Sequence, residues 1–413
     1  GINPSVKVVL GGNHASSFDE MVLKYEAIDF VVRGEGEITF YELCNAILAG
    51  ENNFRNIKGI TYKNEDGNIK KTIDRELIEN LDELSIDYSL VDVKKYAIVS
   101  RSSPFLMRYP AIGIISSRGC PGKCVYCTVK AVWGRSWRGK SAEKTVDEIE
   151  LLHRKYGIHE FGFLDDSASL NKKRWNDICD EIIKRRLNIR WTTPNGIAHW
   201  TLDKSTLKNM KKAGCYRVTF GVESGNIETR KFLGKPYSLS QAAEMIRYAN
   251  RIGMWTICTN ILGSPNETQM SMNDTIRFAK KSGTDFAAFY LLSPQVTSDI
   301  YDYYKKEGLL NFDYVFNGST FDIEKYEEMN KIIHDGGAPS KYFTPDELKK
   351  IQIHAYRSFI FYRAVSYLLN PLKLFRKIHS FEDIKYAIRL GFTCFNILIN
   401  TFYKKTTKTL LYD

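Results

Sequence analysis

From residue 112 onward the chain alternates, unit after unit, between a short apolar run and an amphipathic helical stretch. Few folds accept that pattern. The sequence predicts strands at 112–117, 160–165, 189–194, 216–222, 255–262 and 286–292. Between them it predicts helices at about 142–156, 171–187, 203–213, 238–252 and 268–282. Ser141, Asn171, Asp203, Ser238 and Asn266 stand where helices should start and are of cap-forming types. Gly157, Gly214, Gly253 and Gly283 stand where they should end, as left-handed caps. Strands that alternate with helices pair in parallel, with helices covering the sheet. The result is an α/β fold, either an open six-stranded barrel or a doubly wound sheet. Periodicity alone does not choose between them.

The residues that break the apolar pattern fall at or just past the strand ends. They are Cys120, Asp165-Asp166, Asn195-Gly196, Glu223-Ser224, Gly263-Ser264-Pro265 and Pro294-Gln295. In barrels of parallel strands the carboxyl-terminal rim is where ligands and chemistry sit. Polar and glycine residues at all these ends would therefore meet in one bowl.

The first of these loops is the most specific. Cys120-Pro121-Gly122-Lys123-Cys124-Val125-Tyr126-Cys127 has the spacing C-x3-C-x2-C and directly follows an apolar run, Ile112-Gly113-Ile114-Ile115. Three thiolates on one tight loop can hold an iron–sulfur cluster or a zinc ion. A zinc site wants a fourth ligand, and none is evident in the following stretch. A four-iron cluster on three cysteines keeps one iron open for chemistry. Eight cysteines in 413 residues are too sparse for a disulfide framework, so a reducing, cytoplasmic setting fits better. Cys179 and Cys258 lie on apolar periodicities and read as core, Cys215 is ambiguous, and His159 and His199 read as surface or satisfied side chains.

The net charge is +11, and residues 341–413 hold thirteen Lys/Arg against five Asp/Glu, which is +8 of that total. The middle of the chain is thus near neutral, which argues against a nucleic-acid groove across the site. No apolar run reaches the length of a spanning helix.

The cysteine loop, with Tyr126 before its last cysteine, together with Gly221-Val222-Glu223-Ser224-Gly225, resembles the radical SAM superfamily over about 110–295. The resemblance implies a partial (β/α)6 barrel. It also implies a 4Fe–4S cluster on Cys120, Cys124 and Cys127, with S-adenosylmethionine chelating the fourth iron and yielding a 5′-deoxyadenosyl radical on reduction. An external donor such as ferredoxin or flavodoxin would supply the electron. By the same resemblance Tyr126 would meet the adenine, and Glu223 and Ser224 the ribose hydroxyls or the methionyl amine. Asp165 and Asp166 would take the methionyl ammonium or line the substrate pocket, and Gly263 would let backbone approach the adenine.

Upstream, Val8-Val9-Leu10-Gly11-Gly12-Asn13-His14 and Asp29-Phe30-Val31-Val32-Arg33-Gly34-Glu35-Gly36-Glu37 resemble the last two β-α units of a Rossmann-like cobalamin-binding domain. Gly11 and Gly12 would lie against the corrin or its nucleotide tail. With Gly at residue 1 and two units too few for a sheet, the chain reads as cut from a longer one. The expected organisation is a cobalamin-domain remnant over 1–55 and a linker with a hairpin over 56–104, with Asp66-Gly67 as its turn. A radical SAM core over 105–310 and a mostly helical region over 311–413 follow. In that last region Leu348–Leu369 reads as an aromatic-rich helix. Leu390–Tyr403 is flanked by Arg389 and Lys404-Lys405, so 341–413 either contacts an anionic membrane surface peripherally or caps the core.

The function implied is cobalamin-dependent methylation of an unactivated carbon in a small-molecule or lipid-like substrate. The rivals are a cyclisation of the anaerobic magnesium-protoporphyrin ester cyclase type, a tRNA-modifying radical enzyme, and a non-catalytic iron–sulfur or zinc protein.

Overall fold

The computed structural model describes residues 6–98, 105–235, 237–310 and 338–403, with side chains to residue 396. Expectations for 311–337 and for Lys404-Lys405 lie outside the described residues. The chain forms two compact units that do not follow chain order. One combines Gly1–Asn80, Gly119–Arg138 and Ser293–Ala338; the other combines Leu81–Arg118, Gly139–Leu292 and Pro339–Asp413.

The first unit is built on a four-stranded mixed sheet in the order β1 (Val9–Leu10), β2 (Phe30–Val32), β3 (Ile60–Lys63), β4 (Ile69–Lys71). β1 and β2 are parallel, while β2–β3 and β3–β4 are antiparallel. The hairpin expected in the linker thus supplies the sheet's third and fourth strands. Buried Arg33 fastens it, donating from Nη1 to the Ile60 carbonyl and the Thr61 hydroxyl and from Nη2 to the Thr72 carbonyl at 2.7 Å. After β1 the chain forms two short helical pieces, Gly12–Ser17 and Asp19–Val22, divided at Phe18, whose backbone (φ −131°, ψ 33°) is not helical. The helix after β2, α1 (Gly36–Leu48), turns Leu43 and Ala46 into the sheet.

The second unit contains six parallel strands: β5 (Ala111–Ile114), β6 (Glu160–Phe163), β7 (Arg190–Ile197), β8 (Cys215–Glu223), β9 (Trp255–Leu262) and β10 (Phe286–Leu291). Their order in the sheet is their order in the chain. A doubly wound sheet reverses direction at a switch point. Here every crossover steps the same way, which is the winding of a barrel.

The covering helices are α2 (Ala142–Tyr156), α3 (Lys172–Lys184), α4 (Lys204–Lys212), α5 (Leu239–Arg251) and α6 (Gln269–Ser282). In α2 the Ser141 hydroxyl accepts the Lys144 amide at 3.2 Å, satisfying one orphan donor of the first turn. Val146, Ile149 and Leu152 share its inner face and are fully buried. Gly157 ends the helix at φ +70°, a conformation only glycine adopts readily. For α6 the cap is Thr268 rather than Asn266, with Ser271 completing a capping box; Glu267, just before it, is turned inward. Between helices and sheet, Phe163, Trp175 and Trp191 meet edge to face at 5.0–5.5 Å. Cys179, Cys215 and Cys258 are buried, and desolvation pushes each thiol upward.

Two further helices, α7 (Pro345–Leu369) and α8 (Phe381–Tyr403), complete this unit. α7 lays Leu348, Ala355 and Phe359 against Leu262, Met272 and Phe289. At the ends where the strands begin, buried Lys377 pairs with Asp285 at 2.7 Å and donates to the Met254 carbonyl at 2.7 Å. Both side chains are almost wholly enclosed, at 1% and 2% exposure, so each charge depends on the other. Replacing Lys377 by Met should strand the Asp285 carboxylate and cost about 3–5 kcal/mol. The double change Lys377→Met/Asp285→Asn should cost clearly less than the two single changes summed, and urea unfolding of the four proteins measures both.

Candidate functional site

In the barrel unit the chemistry-bearing residues lie at the strand carboxyl ends. Asp165, just past β6 and 1% exposed, accepts at Oδ1 from the Ser116 amide (3.1 Å), the Ser116 hydroxyl (2.8 Å) and the Ser117 hydroxyl (2.5 Å). It thereby bolts the end of β6 to the segment that leads, three residues later, into Cys120. Its Oδ2 is buried with no hydrogen-bond partner among the described residues. Asp166 is exposed.

Glu223 ends β8 with φ +67°, a left-handed backbone that a non-glycine residue holds only at a cost of about 1–3 kcal/mol. Its carboxylate is mostly buried and pairs with Lys235 Nζ at 2.7 Å. Gly221 leaves room for that pair, since a Cβ there would stand 3.0 Å from both Glu223 Oε1 and Lys235 Nζ. Ser224 is fully buried. Its hydroxyl lies 2.9 Å from Thr275 Oγ1 and accepts the Asn226 amide at 3.1 Å, tying the turn to α6. Gly225 is required because a side chain would collide with the Asp274 backbone. Within the five-residue motif Glu223 carries the one ionisable side chain, while Ser224 and Gly225 pack the turn against α6.

Beside this turn His199 is 2% exposed, with Nδ1 unpartnered among the described residues. Burial, with Lys235 and Arg230 nearby, pushes its imidazole down to about 4, so it is neutral at physiological pH. Its ring meets Trp200 and Tyr237 edge-on, and those two rings stack at 3.7 Å.

At the end of β9, Gly263 has φ +83°, and a Cβ there would press on Leu348 of α7 at 3.0 Å. Glu267 Oε2 accepts the amides of Gly263 (2.9 Å) and Ser264 (3.1 Å), while its Oε1 is buried with no partner among the described residues. Desolvation pushes this carboxyl up to about 7 against the two amide bonds, which pull the other way.

The cysteines belong to the other unit. Cys120, Cys124 and Cys127 are half-buried thiols. The Gly122 amide donates to Cys120 Sγ at 3.4 Å, and a Cβ on Gly122 would stand 3.2 Å from that sulfur and 3.8 Å from Cys124 Sγ. The Cys127 amide closes a turn on the Cys124 carbonyl at 3.1 Å, and Tyr126 within it is half-buried. Asp299 braces the loop by pairing with Lys130 and, at 3.6 Å, with Arg135. At the loop's end Arg138 pairs with Glu35 at 2.9 Å, both buried, and Glu35 also accepts the Ile78 amide at 2.6 Å. The short helix Gly12–Ser17 packs against helix Lys130–Trp133, so the Gly11-Gly12 turn and the cysteine loop share one body. Gly12 has φ +90° with nothing within 4 Å of a Cβ position.

Among the described residues no three His, Cys, Asp or Glu side chains converge on a single metal ion. The donor set fits a cysteine-ligated iron–sulfur cluster: three thiols on one turn, a backbone amide beside the first, and no side chain at 122 to crowd them.

Sequence reading missed Lys235, Glu267 and the serine pair 116–117, and it took His199 for a surface or satisfied side chain, whereas His199 is buried with Nδ1 unpartnered among the described residues. Glu267 had a signal, a carboxylate four residues beyond a strand-end glycine. Lys235 had none, because its partner is twelve residues away around a turn.

Comparisons with known proteins agree with this geometry. The sequence profile of the Radical SAM superfamily matches residues 114–279. An uncharacterized methyltransferase of Pyrococcus horikoshii, PH0819, is 35% identical over 392 residues, covering 94% of this chain and 78% of that protein. The anaerobic magnesium-protoporphyrin IX monomethyl ester cyclase of Rubrivivax gelatinosus is 28% identical, over 80% of this chain but only 57% of the cyclase. Among solved structures, the cobalamin-dependent S-adenosylmethionine radical enzyme OxsB with aqua-cobalamin bound aligns at a TM-score of 0.61, with 18% identity, over 95% of this chain and 66% of that one. On the cysteine loop, the one-way parallel barrel and the likeness to the Pyrococcus protein, the chain belongs to the radical SAM superfamily.

Proposed function

We propose that this protein is a cobalamin-dependent radical SAM methyltransferase acting on an unactivated carbon of a small-molecule or lipid-like substrate. The observation that carries the reading is the packing of the Gly12–Ser17 helix on Lys130–Trp133. It gives the cobalamin-side turn and the cysteine loop a common support. The methyltransferase name of the Pyrococcus relative supports the same choice.

In this reading Cys120, Cys124 and Cys127 hold a 4Fe–4S cluster, which with S-adenosylmethionine supplies one-electron activation of a C–H bond. Gly11 and Gly12 lie against cobalamin. Glu223, held in its strained backbone and oriented by Lys235, receives the ribose hydroxyls or the methionyl amine. Ser224 positions Glu223 rather than touching the cofactor. Asp165 keeps the approach to the cysteine loop fixed, with Oδ2 left to accept from a bound ammonium; Asp166 stands at the edge of the pocket. Glu267 pins the Gly263-Ser264 backbone that, with Tyr126, meets the adenine. A ferredoxin or flavodoxin delivers the electron. Cyclisation is the second reading, favoured by the likeness to the cyclase over 80% of this chain.

Reconstituted protein with cobalamin, S-adenosylmethionine and a reductant should release both S-adenosylhomocysteine and 5′-deoxyadenosine. Release of 5′-deoxyadenosine alone would favour cyclisation, and release of neither would end the radical reading. Cys124→Ala should abolish both products.

Glu223→Gln should weaken S-adenosylmethionine binding about tenfold, or about 1.4 kcal/mol, in equilibrium dialysis. Unchanged affinity would remove Glu223 from the cofactor site.

Glu267 generates a pH prediction. Its folded value, about 7, lies above the ordinary 4.5, so the native state alone holds the proton between those values. Stability should therefore be full below about pH 4.5, fall by up to about 3 kcal/mol as pH rises to about 7, and then level off. Glu267→Gln should flatten that component, as read from urea midpoints across the range.

A further inference from the structure

At the end of the barrel unit where the strands begin, a cleft of about 320 Å³ lies between the carboxyl ends of α5 and α6, the last turns of α7 and the segment that follows it. Arg247, Arg251, Lys280, Lys281, Lys373 and Arg376 line it, together with Arg363. None of these seven has a carboxylate within ion-pair distance among the described residues. The cleft's one acid, Asp285, is already neutralised by buried Lys377.

Basic residues in the last turns of helices ordinarily serve the helix dipole, and that is the plain alternative for Arg251, Lys280 and Lys281. The numbers do not balance. Two helix ends contribute roughly half a negative charge each, leaving a surplus of about six positive charges. Arg363 points the same way. It is 8% exposed, its Nε is buried without a hydrogen-bond partner among the described residues, and its guanidinium lies against the Phe359 and Tyr362 rings at 5.5 and 5.9 Å. Its Nη2 donates to the Lys280 carbonyl at 3.2 Å, which leaves donors to spare, and spare guanidinium donors in a cationic cleft suit a phosphate-bearing anion.

What adjoins the cleft narrows the source. The segment that supplies Lys373 and Arg376 also presents Leu368 (81% exposed), Leu369 (82%), Leu372 (62%) and Phe375 (64%) to solvent. A soluble phosphate needs no such rim. Apolar side chains interleaved with cations match an anionic lipid interface, where stable attachment takes both apolar insertion and charge.

We propose that this face, 362–376 with the ends of α5 and α6, is a docking site for an anionic phospholipid membrane. The cleft takes a headgroup phosphate, and Leu368, Leu369, Leu372 and Phe375 enter the interface. The site lies at the end of the barrel opposite the strand-end residues and does not depend on the reaction assigned there.

Flotation of the full chain with phosphatidylcholine vesicles, with and without about one-third phosphatidylglycerol, tests it. Binding should be at least about tenfold stronger to the anionic vesicles and should fall steeply as salt rises from about 0.1 to 1 M, where screening shortens from about 10 to 3 Å. Arg251→Glu/Lys281→Glu should reduce anionic binding about tenfold or more. Leu369→Ser/Leu372→Ser should weaken it while leaving the salt dependence in place. All four positions are exposed, and circular dichroism checks that each variant is folded; Lys281→Gln alone serves if the charge reversal unfolds the protein. Equal binding to neutral vesicles, or none to anionic ones, overturns the proposal. So does a stabilising shift of the unfolding midpoint by inorganic pyrophosphate without vesicle binding, which would make the cleft a site for a soluble phosphate.

Discussion

Six parallel strands wound in one direction impose the constraint on which the barrel unit depends: every carboxyl end emerges on the same side. Each βα crossover returns the chain to the opposite end before the next strand begins, so a residue just past any strand faces the same rim. Asp165, His199, Glu223 and Glu267 are separated by decades of sequence, yet all follow a strand end. Of the four, only Glu223 adds a special local structure, its left-handed backbone. The topology delivers them.

The two ends of the barrel treat buried carboxylates differently. At the end where strands begin, the buried carboxylates are closed into networks. Glu160 accepts the Met107 and Arg108 amides at 2.8 and 2.7 Å and the Tyr216 hydroxyl at 2.5 Å, and Arg217 reaches Tyr386 of α8 at 2.9 Å. Lys377 and Asp285 form a second such knot. These contacts attach the C-terminal helices to the barrel and leave little to react. At the rim, Glu223 sits on a left-handed backbone, and Asp165, Glu267 and His199 each keep one buried polar atom unpartnered among the described residues. Unsatisfied buried polar atoms cost about 1–3 kcal/mol each. What sets the rim apart is that its unpartnered buried atoms belong to carboxylates and an imidazole, groups able to bind or move a proton, whereas those at the other end belong to arginine and tryptophan donors such as Arg217 and Arg363 Nε.

The regular part of the fold was legible because its determinants are local. Cap residues and 3.6-residue apolar spacing place the starts of α2 to α5 to within a residue, and glycines mark the ends of α2, α4, α5 and α6; α3, which has no such glycine, stops at Lys184 rather than 187, and the cap of α6 is Thr268, boxed by Ser271, rather than Asn266. Periodicity could not choose between barrel and doubly wound sheet, since that depends on which strand pairs with which; the barrel was legible only through the resemblance carried by the cysteine loop and the Glu223 motif. At the strand ends, the position of Glu223 could be read from its motif. The division of labour with Ser224 could not: both are polar strand-end residues, and only packing reveals that the Ser224 hydroxyl is committed to Thr275. Glu267 and Lys235 escaped for the same reason. A carboxylate's importance here comes from enclosure and from the amides it faces, neither of which local pattern records.

The cysteine loop shows how far such non-local determinants reach. Its approach is fixed by Asp165 gripping Ser116 and Ser117, and its exit by Glu35 gripping Arg138. The first grip belongs to the barrel unit and the second to the unit of the N-terminal sheet. Glu35 lies in the run Arg33-Gly34-Glu35, which as sequence looked like a β-α turn of a cofactor domain. In the fold Arg33 fastens the hairpin and Glu35 clamps the loop. A buried ion pair contributes little net stability but fixes geometry strongly, because breaking it strands a charge. Within its own unit the cysteine loop is therefore restrained at its exit by a carboxylate in enclosed surroundings. The cluster proposed for the three cysteines would benefit from that restraint, since a loop free to move would have to be ordered again each time a cluster was assembled.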